Sequence, residues 1–281
     1  METRINGRAV DITLDTEKNV GDVLTGLEQW LGSSGHRLSG LAIDGQNMDI
    51  SSLENAFVRE IENIRILDIY TTAVAQLSAR CLFDLLSDIN EYENIKFEDK
   101  NKFFENWKQK PQANFAAEQL ADIYNFFVHA FLHGNITPQV LRSITEERLR
   151  EIEAPQDEFK NIKPVLDEIC ERLINLPLDI QMGKDAQAAQ TIQLFSGIAE
   201  KIIRTIQQLD VQGYSSIKDS ETGKPVHDMI NEFNSAVREL LDAYERGDTV
   251  LVGDLAEYEM APRLMELYNV ILNNDRGKET A

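Results

Sequence analysis

The chain has little of what chemistry usually needs. Two cysteines and four histidines in 281 residues leave few soft ligands and few nucleophiles. Cys81 and Cys170 stand far apart, each inside an apolar helical pattern, and two thiolates alone do not close a zinc site. Both are read as small buried hydrophobes. Positive charge is also scarce: 28 Lys and Arg against 48 Asp and Glu give a formal net charge of −20. So acidic a chain repels phosphate backbones, which argues against nucleic acid, and it suits a basic patch on another protein. No apolar run approaches the roughly 18 residues that would suggest a membrane span. The start, METRINGRAVDITL, lacks the basic and then apolar texture of a signal peptide, so a cytoplasmic protein is expected.

What is present is an ordinary folding composition, 42% hydrophobic and 27% charged, which excludes a disordered chain. The length suits two domains. Residues 1–71 have a mixed texture. Asn6-Gly7 is a hairpin signal, because both residues accept the positive φ of a type I′ turn. Val10, Ile12 and Leu14 then alternate with polar or small neighbours, as in a half-buried strand. Asn19 can cap a helix whose Val20, Val23, Leu24, Leu27 and Leu31 share a face, and Gly32 and Gly35 can end it. Leu38–Ile43 reads as a strand turned by Asp44-Gly45. Ser51 and Glu54 suit a capping box for a short helix reaching Phe57. Ile64–Tyr70 reads as a last strand.

This order of strand, strand, helix, strand, short helix, strand resembles the ubiquitin-like β-grasp fold over the first quarter of the chain. The resemblance implies a module that recognises or presents something. Ubiquitin-type modifiers end in Gly-Gly after the last strand. Here Thr71-Thr72 follow Tyr70 and the chain runs on, so conjugation through a C-terminal glycine is not expected.

From residue 72 to 281 the pattern is helical. Apolar residues at three- and four-residue steps predict helices over 72–90, 110–133, 159–176, 185–209 and 226–245. Thr137 and Pro138 cap another that runs to Glu153. The helix 185–209 carries the longest stripe, from Ile192 through Phe195, Ile198, Ala199, Ile202 and Ile206 to Leu209. Polar loop texture fills 213–225, and NNDRGKETA reads as a frayed tail. The expected fold is therefore α+β: a β-grasp domain, residues 1–71, then an antiparallel helical bundle, residues 72–281. The phrases QMGKDAQAAQTIQLFSGIAEKIIRTI and RGDTVLVGDLAEYEMAPRL resemble a bacterial family of helical proteins that is itself uncharacterised, and this implies no activity.

Candidates for function are few. Arg246-Gly247-Asp248 matches an adhesion tripeptide, but Gly past a helix end and Asp before the next helix explain it as a joint. After it come Asp254, Glu257 and Glu259, with Pro262 inside the helix. Pro262 should kink or break that helix and could expose Tyr258, Met260 and Met265 as a groove. His129 and His133 have zinc-helix spacing, with Asp122 upstream. The general-base position between them holds Ala130, so the metalloprotease pattern fails. No metal, cofactor loop or catalytic set is assigned. Trp30, Trp107 and Phe103-Phe104 stand out, and FFENWKQKPQANF, residues 103–115, sets aromatics beside Lys108 and Lys110. Such a set suits either a core or a partner-binding edge.

The functional expectation is a non-catalytic protein-interaction protein, an adaptor or chaperone-like binder such as bacterial motility or secretion systems use. Its partner-binding candidates are Phe103, Phe104, Trp107, Tyr258, Met260 and Met265. One alternative is a structural subunit or homo-oligomer built through the helix 185–209. Another is an enzyme or metal protein using His129, His133, Asp122 and Glu257.

Overall fold

The computed structural model describes residues 1–11, 16–48, 53–209, 217–219 and 222–279. It is α+β, a small mixed sheet of five strands followed by helices. Strands β1 (Glu2–Ile5) and β2 (Arg8–Val10) form a hairpin. Its turn residues Asn6 and Gly7 have φ of 49° and 78°, as a type I′ turn requires. Strands β3 (His36–Ile43) and β4 (Gln46–Asn47) form a second hairpin through Asp44 and Gly45, with φ of 50° and 83°. Strand β5 (Ile66–Ala73) lies between the hairpins, parallel to β1 and antiparallel to β3, giving the order β2-β1-β5-β3-β4. Ile12, Leu14 and Ser51, which entered the expected strand and capping box, lie outside the described residues.

The two hairpin turns also hold β5. The Asn6 side chain accepts the Thr71 N–H and donates to Thr71 Oγ1, both at 2.9 Å. Asp44 Oδ1 accepts the N–H groups of Arg65 at 3.0 Å and Ile66 at 2.9 Å. So each turn residue chosen for its tolerance of positive φ does a second job, fixing one end of the central strand. Helix α1 (Val20–Ser33) starts with a full capping box between Asn19 and Asp22, which satisfies donors the helix leaves open. Its Val20, Val23 and Leu24 join Leu41, Ile43, Leu67 and Ile69 in one core under α2 (Leu53–Phe57).

Helix α3 (Val74–Glu93) begins two residues later than its pattern predicts, because β5 runs on to Ala73. After α4 (Lys100–Trp107) the expected helix 110–133 is in fact two. Helices α5 (Pro111–Gln119) and α6 (Ala121–Val128) part at Leu120, which leaves helical space with φ −135° and ψ 52°. A wide π turn, His129–His133, follows and closes at Gly134 in the left-handed region. In α7 (Pro138–Glu153), Thr137 Oγ1 accepts the Val140 N–H at 3.3 Å, the cap its sequence predicts.

The expected helix 159–176 starts within α8 (Pro155–Asn161) and continues as α9 (Lys163–Gln181), with Pro177 inside α9 rather than at its end. Helix α10 (Asp185–Leu209) buries Phe195, Ile198, Ala199, Ile202, Ile206 and Leu209, as its stripe requires. Helix α11 (Val226–Glu245) leads into α12 (Thr249–Asp254). At the joint Gly247 has φ 69°, the Asp248 N–H donates to Ala243 O at 3.0 Å, and Asp248 Oδ1 caps Leu251 at 3.1 Å. Arg246-Gly247-Asp248 is thus helix end, turn and helix start. Helix α13 (Ala261–Glu279) extends past Asn273, where a tail was expected. A Cβ placed on Gly253 would sit 3.1 Å from Pro177 Cβ and Cγ, so only glycine lets α12 approach α9 this closely.

The chain packs as two compact units, residues 1–146 and 147–281. The helices that follow the sheet are therefore shared between the two units. The second has a continuous apolar core drawn from α8 to α13.

The turn at Asp44 makes a testable pH dependence. Backbone donation, first from Ile66, holds its carboxyl below the usual carboxylate range. A carboxylate depressed in the folded state stabilises above its unfolded pKa, and that contribution is lost as pH falls through the folded value. Asp44→Asn keeps an acceptor and tolerates the turn. Thermal unfolding followed from about pH 5 down to about pH 2 should show a steeper loss for the parent chain than for the variant. Parallel curves would mean that the carboxylate is not held as described.

Candidate partner-binding surfaces

The aromatic stretch 103–115 is core, not edge. Phe103, Phe104 and Trp107 are buried, Trp107 completely. The Trp107 ring stacks near Phe104, Tyr124 and Phe127 at centroid distances of 6.0, 5.5 and 5.6 Å, and meets Phe131 edge-on at 5.3 Å. The polar residues of the same stretch explain why. Asp88 of α3 is buried, and an unmatched buried carboxylate is costly. Trp107 Nε1–H donates to it at 3.1 Å, Lys110 Nζ at 2.8 Å and Gln112 Nε2 at 3.0 Å. Lysine beside aromatics here neutralises an internal acid rather than advertising a surface.

Around Pro262 the helix neither breaks nor opens. A π turn, Leu255–Met260, joins α12 to α13, and the Ala261 N–H reaches back five residues to Ala256 O. Pro262 has no N–H to give to Tyr258 O, four residues back. The wider turn accommodates it and sends Leu255, Ala256 and Met260 inward. Met260 is fully buried and Met265 is packed against the core, so neither lines an open groove. Tyr258 is 64% exposed, and its hydroxyl is pushed up by Glu257, to which it hydrogen-bonds, with Asp254 adding to the effect. Glu259 pairs with Arg263 at 2.7 Å, and Arg263 with Glu232 of α11 at 3.1 Å.

His129 and His133 lie on the first π turn with ring centroids 5.5 Å apart, and His129 Nδ1 is 3.3 Å from the Asn135 amide. Among the described residues, no three His, Cys, Asp or Glu side chains come together as a metal-holding group. Burial pushes the Cys81 thiol up to about 12 and the Cys170 thiol up to about 11. Both therefore stay protonated near neutral pH, and a thiol is a far poorer nucleophile than a thiolate.

A different surface emerges in the sheet-bearing part. Gly21, Leu24, Thr25, Glu28 and Leu31 of α1, with Leu38 of β3 and Phe57 of α2, line a groove of about 340 Å³. Leu38 and Phe57 are each 38% exposed. Gly21 sets the spacing: a Cβ there would lie 3.2 Å from Phe57 O and 3.1 Å from Asn19 Oδ1. The pairing of Asn19 with Glu60 ties the chain after α2 back to the start of α1. The helical pattern assigns Leu24 and Leu31 to a core stripe and Phe57 to a helix end, so it misses the groove. The one signal was Trp30, which stands off that stripe and is 56% exposed; Val58, just past α2, is 73% exposed.

The contrast between buried and exposed candidates can be measured. Phe104→Ala should cost about 3–5 kcal/mol in denaturant unfolding, while Tyr258→Ser should stay within about 0.5 kcal/mol. Similar small effects for both would return Phe104 to the surface.

Residues 1–73 match the family model of the TP0873 N-terminal domain, and residues 157–270 match a domain of unknown function, DUF8042. Over 280 residues the chain is 20% identical to a protein of Treponema pallidum (strain Nichols) described as uncharacterized, covering 99% of each chain. No solved structure matches. Among the described residues no helix is long and apolar enough to cross a membrane. The chain is thus similar, end to end, to a bacterial protein that is itself uncharacterized.

Proposed function

We propose that the chain is a non-catalytic protein-interaction protein, an adaptor or chaperone-like binder of the cytoplasm. Its small N-terminal domain is a ubiquitin-like β-grasp that takes an apolar segment of a partner in the α1–α2 groove. The observation that carries the reading is the groove itself, with partly exposed Leu38 and Phe57 in its walls. Large apolar side chains left open around a concavity are the usual basis of partner docking. The parallel pairing of β1 with β5, which lies between the two hairpins, supports the β-grasp reading. The net charge of −20 favours a partner whose apolar segment is flanked by Lys or Arg, since charge complementarity speeds encounter and excludes wrong partners.

The test uses the full chain, since the sheet lies within a unit that runs to residue 146. The parent and a Leu38→Asp/Phe57→Asp variant serve as baits in native extract, with thermal melting to show that both are folded. A partner held by the parent is expected to be lost with the variant, then to bind again as a purified protein with at least tenfold difference between the two baits. Undiminished capture by the folded variant would place recognition elsewhere.

A further inference from the structure

His129 and His133 stand on the π turn that follows α6. Their spacing of four puts them on one face of a helical turn, and both are exposed to solvent. The ring centroids lie 5.5 Å apart, with the planes inclined at 47°. A metal ion about 2.0–2.1 Å from one nitrogen of each ring sets the centroids roughly 4.5–5.5 Å apart, for ligand angles of about 90–120°. The separation present is thus that of two imidazoles sharing one ion.

The surroundings favour a cation. The turn is the C-terminal end of a helical run and closes at Gly134 with φ 66°, and a helix C-terminus carries partial negative charge. The net charge of −20 draws divalent cations toward the chain. His129 also has an orienting partner, since its Nδ1 lies 3.3 Å from the Asn135 side-chain amide. The two ends of an amide exchange by a half-turn. With the amide oxygen accepting Nδ1–H, Nε2 is left as a bare ligand nitrogen, the arrangement in which most metal-binding histidines are held.

We propose that His129 and His133 chelate one late first-row divalent ion, of the class of Cu²⁺, Ni²⁺ or Zn²⁺, with solvent in its remaining positions. Imidazole suits these ions, whereas Mg²⁺, Ca²⁺ and Mn²⁺ prefer oxygen ligands. Two protein ligands hold an ion exchangeably, unlike the four of a structural zinc site. The chelate is independent of the α1–α2 groove and stands or falls apart from the partner-binding reading.

The full chain, without an affinity tag, is stripped of metal with a chelator and titrated with NiCl₂ by calorimetry. The titration is run at about pH 7.5, because neutral imidazole is the ligand. Saturable binding of one Ni²⁺ per chain is expected. His129→Gln and His133→Gln, both at exposed positions, should each weaken it about tenfold or more, while His227→Gln should leave it within about twofold. MgCl₂ is the oxygen-seeking control, and its binding should be the same for the parent and His129→Gln. Thermal melting shows that each variant is folded. No saturable Ni²⁺ binding by the parent, parent-like affinity in folded His129→Gln or His133→Gln, an equal loss in His227→Gln, or a matching loss of Mg²⁺ binding in His129→Gln would each overturn the proposal.

Discussion

The packing of both units rests on matching buried carboxylates with cations that the chain has in short supply. Asp88, Glu151, Glu158 and Asp179 are all buried. Each is met: Asp88 by Lys110, Glu158 by Lys201 at 3.2 Å and Arg150 at 2.9 Å, and Asp179 by Lys184 at 3.1 Å. Glu151 is held by Arg204 Nε and Nη2, at 3.1 and 3.2 Å, with Arg148 at 3.6 Å. An unpaired acid at any of these places would cost several kcal/mol. The match also fixes geometry. Glu147 and Glu151, one turn apart on α7, face Lys201 and Arg204 on α10, so a single register of the two helices serves both pairs.

A consequence reaches the surface. A matched pair is neutral, so with 28 cations against 48 acids the formal net charge of −20 is left to the rest of the chain. Such a surface repels nucleic acid and other acidic chains, and it attracts basic ones.

Much of the fold was legible in the sequence because the controlling physics is local. Asn6-Gly7 and Asp44-Gly45 demand positive φ, Asn19 caps α1, and the stripe of α10 repeats at helical steps. The joint at Gly247 reads the same way. What was missed depends on residues far apart in the chain. The aromatics beside Lys110 suit a core or an edge equally well in sequence, and Asp88, on another helix and 2.8 Å from Lys110, is what decides for the core. Pro262 looked like a break because its pattern does not show that a π turn can take up the missing donor. Leu120 lies on an apolar face and still leaves the helix, which no local residue preference announces. The α1–α2 groove depends on how closely α2 approaches Gly21, a distance that periodicity does not contain.

The most direct test of the charge-matching account is a double-mutant cycle on Glu151 and Arg204 by equilibrium unfolding. Arg204→Met alone should cost about 2 kcal/mol or more, because it strips a buried acid of its main partner. Glu151→Leu combined with Arg204→Met should recover most of that loss. A cost for Arg204→Met of no more than about 0.5 kcal/mol, the scale of an exposed pair, would contradict the account.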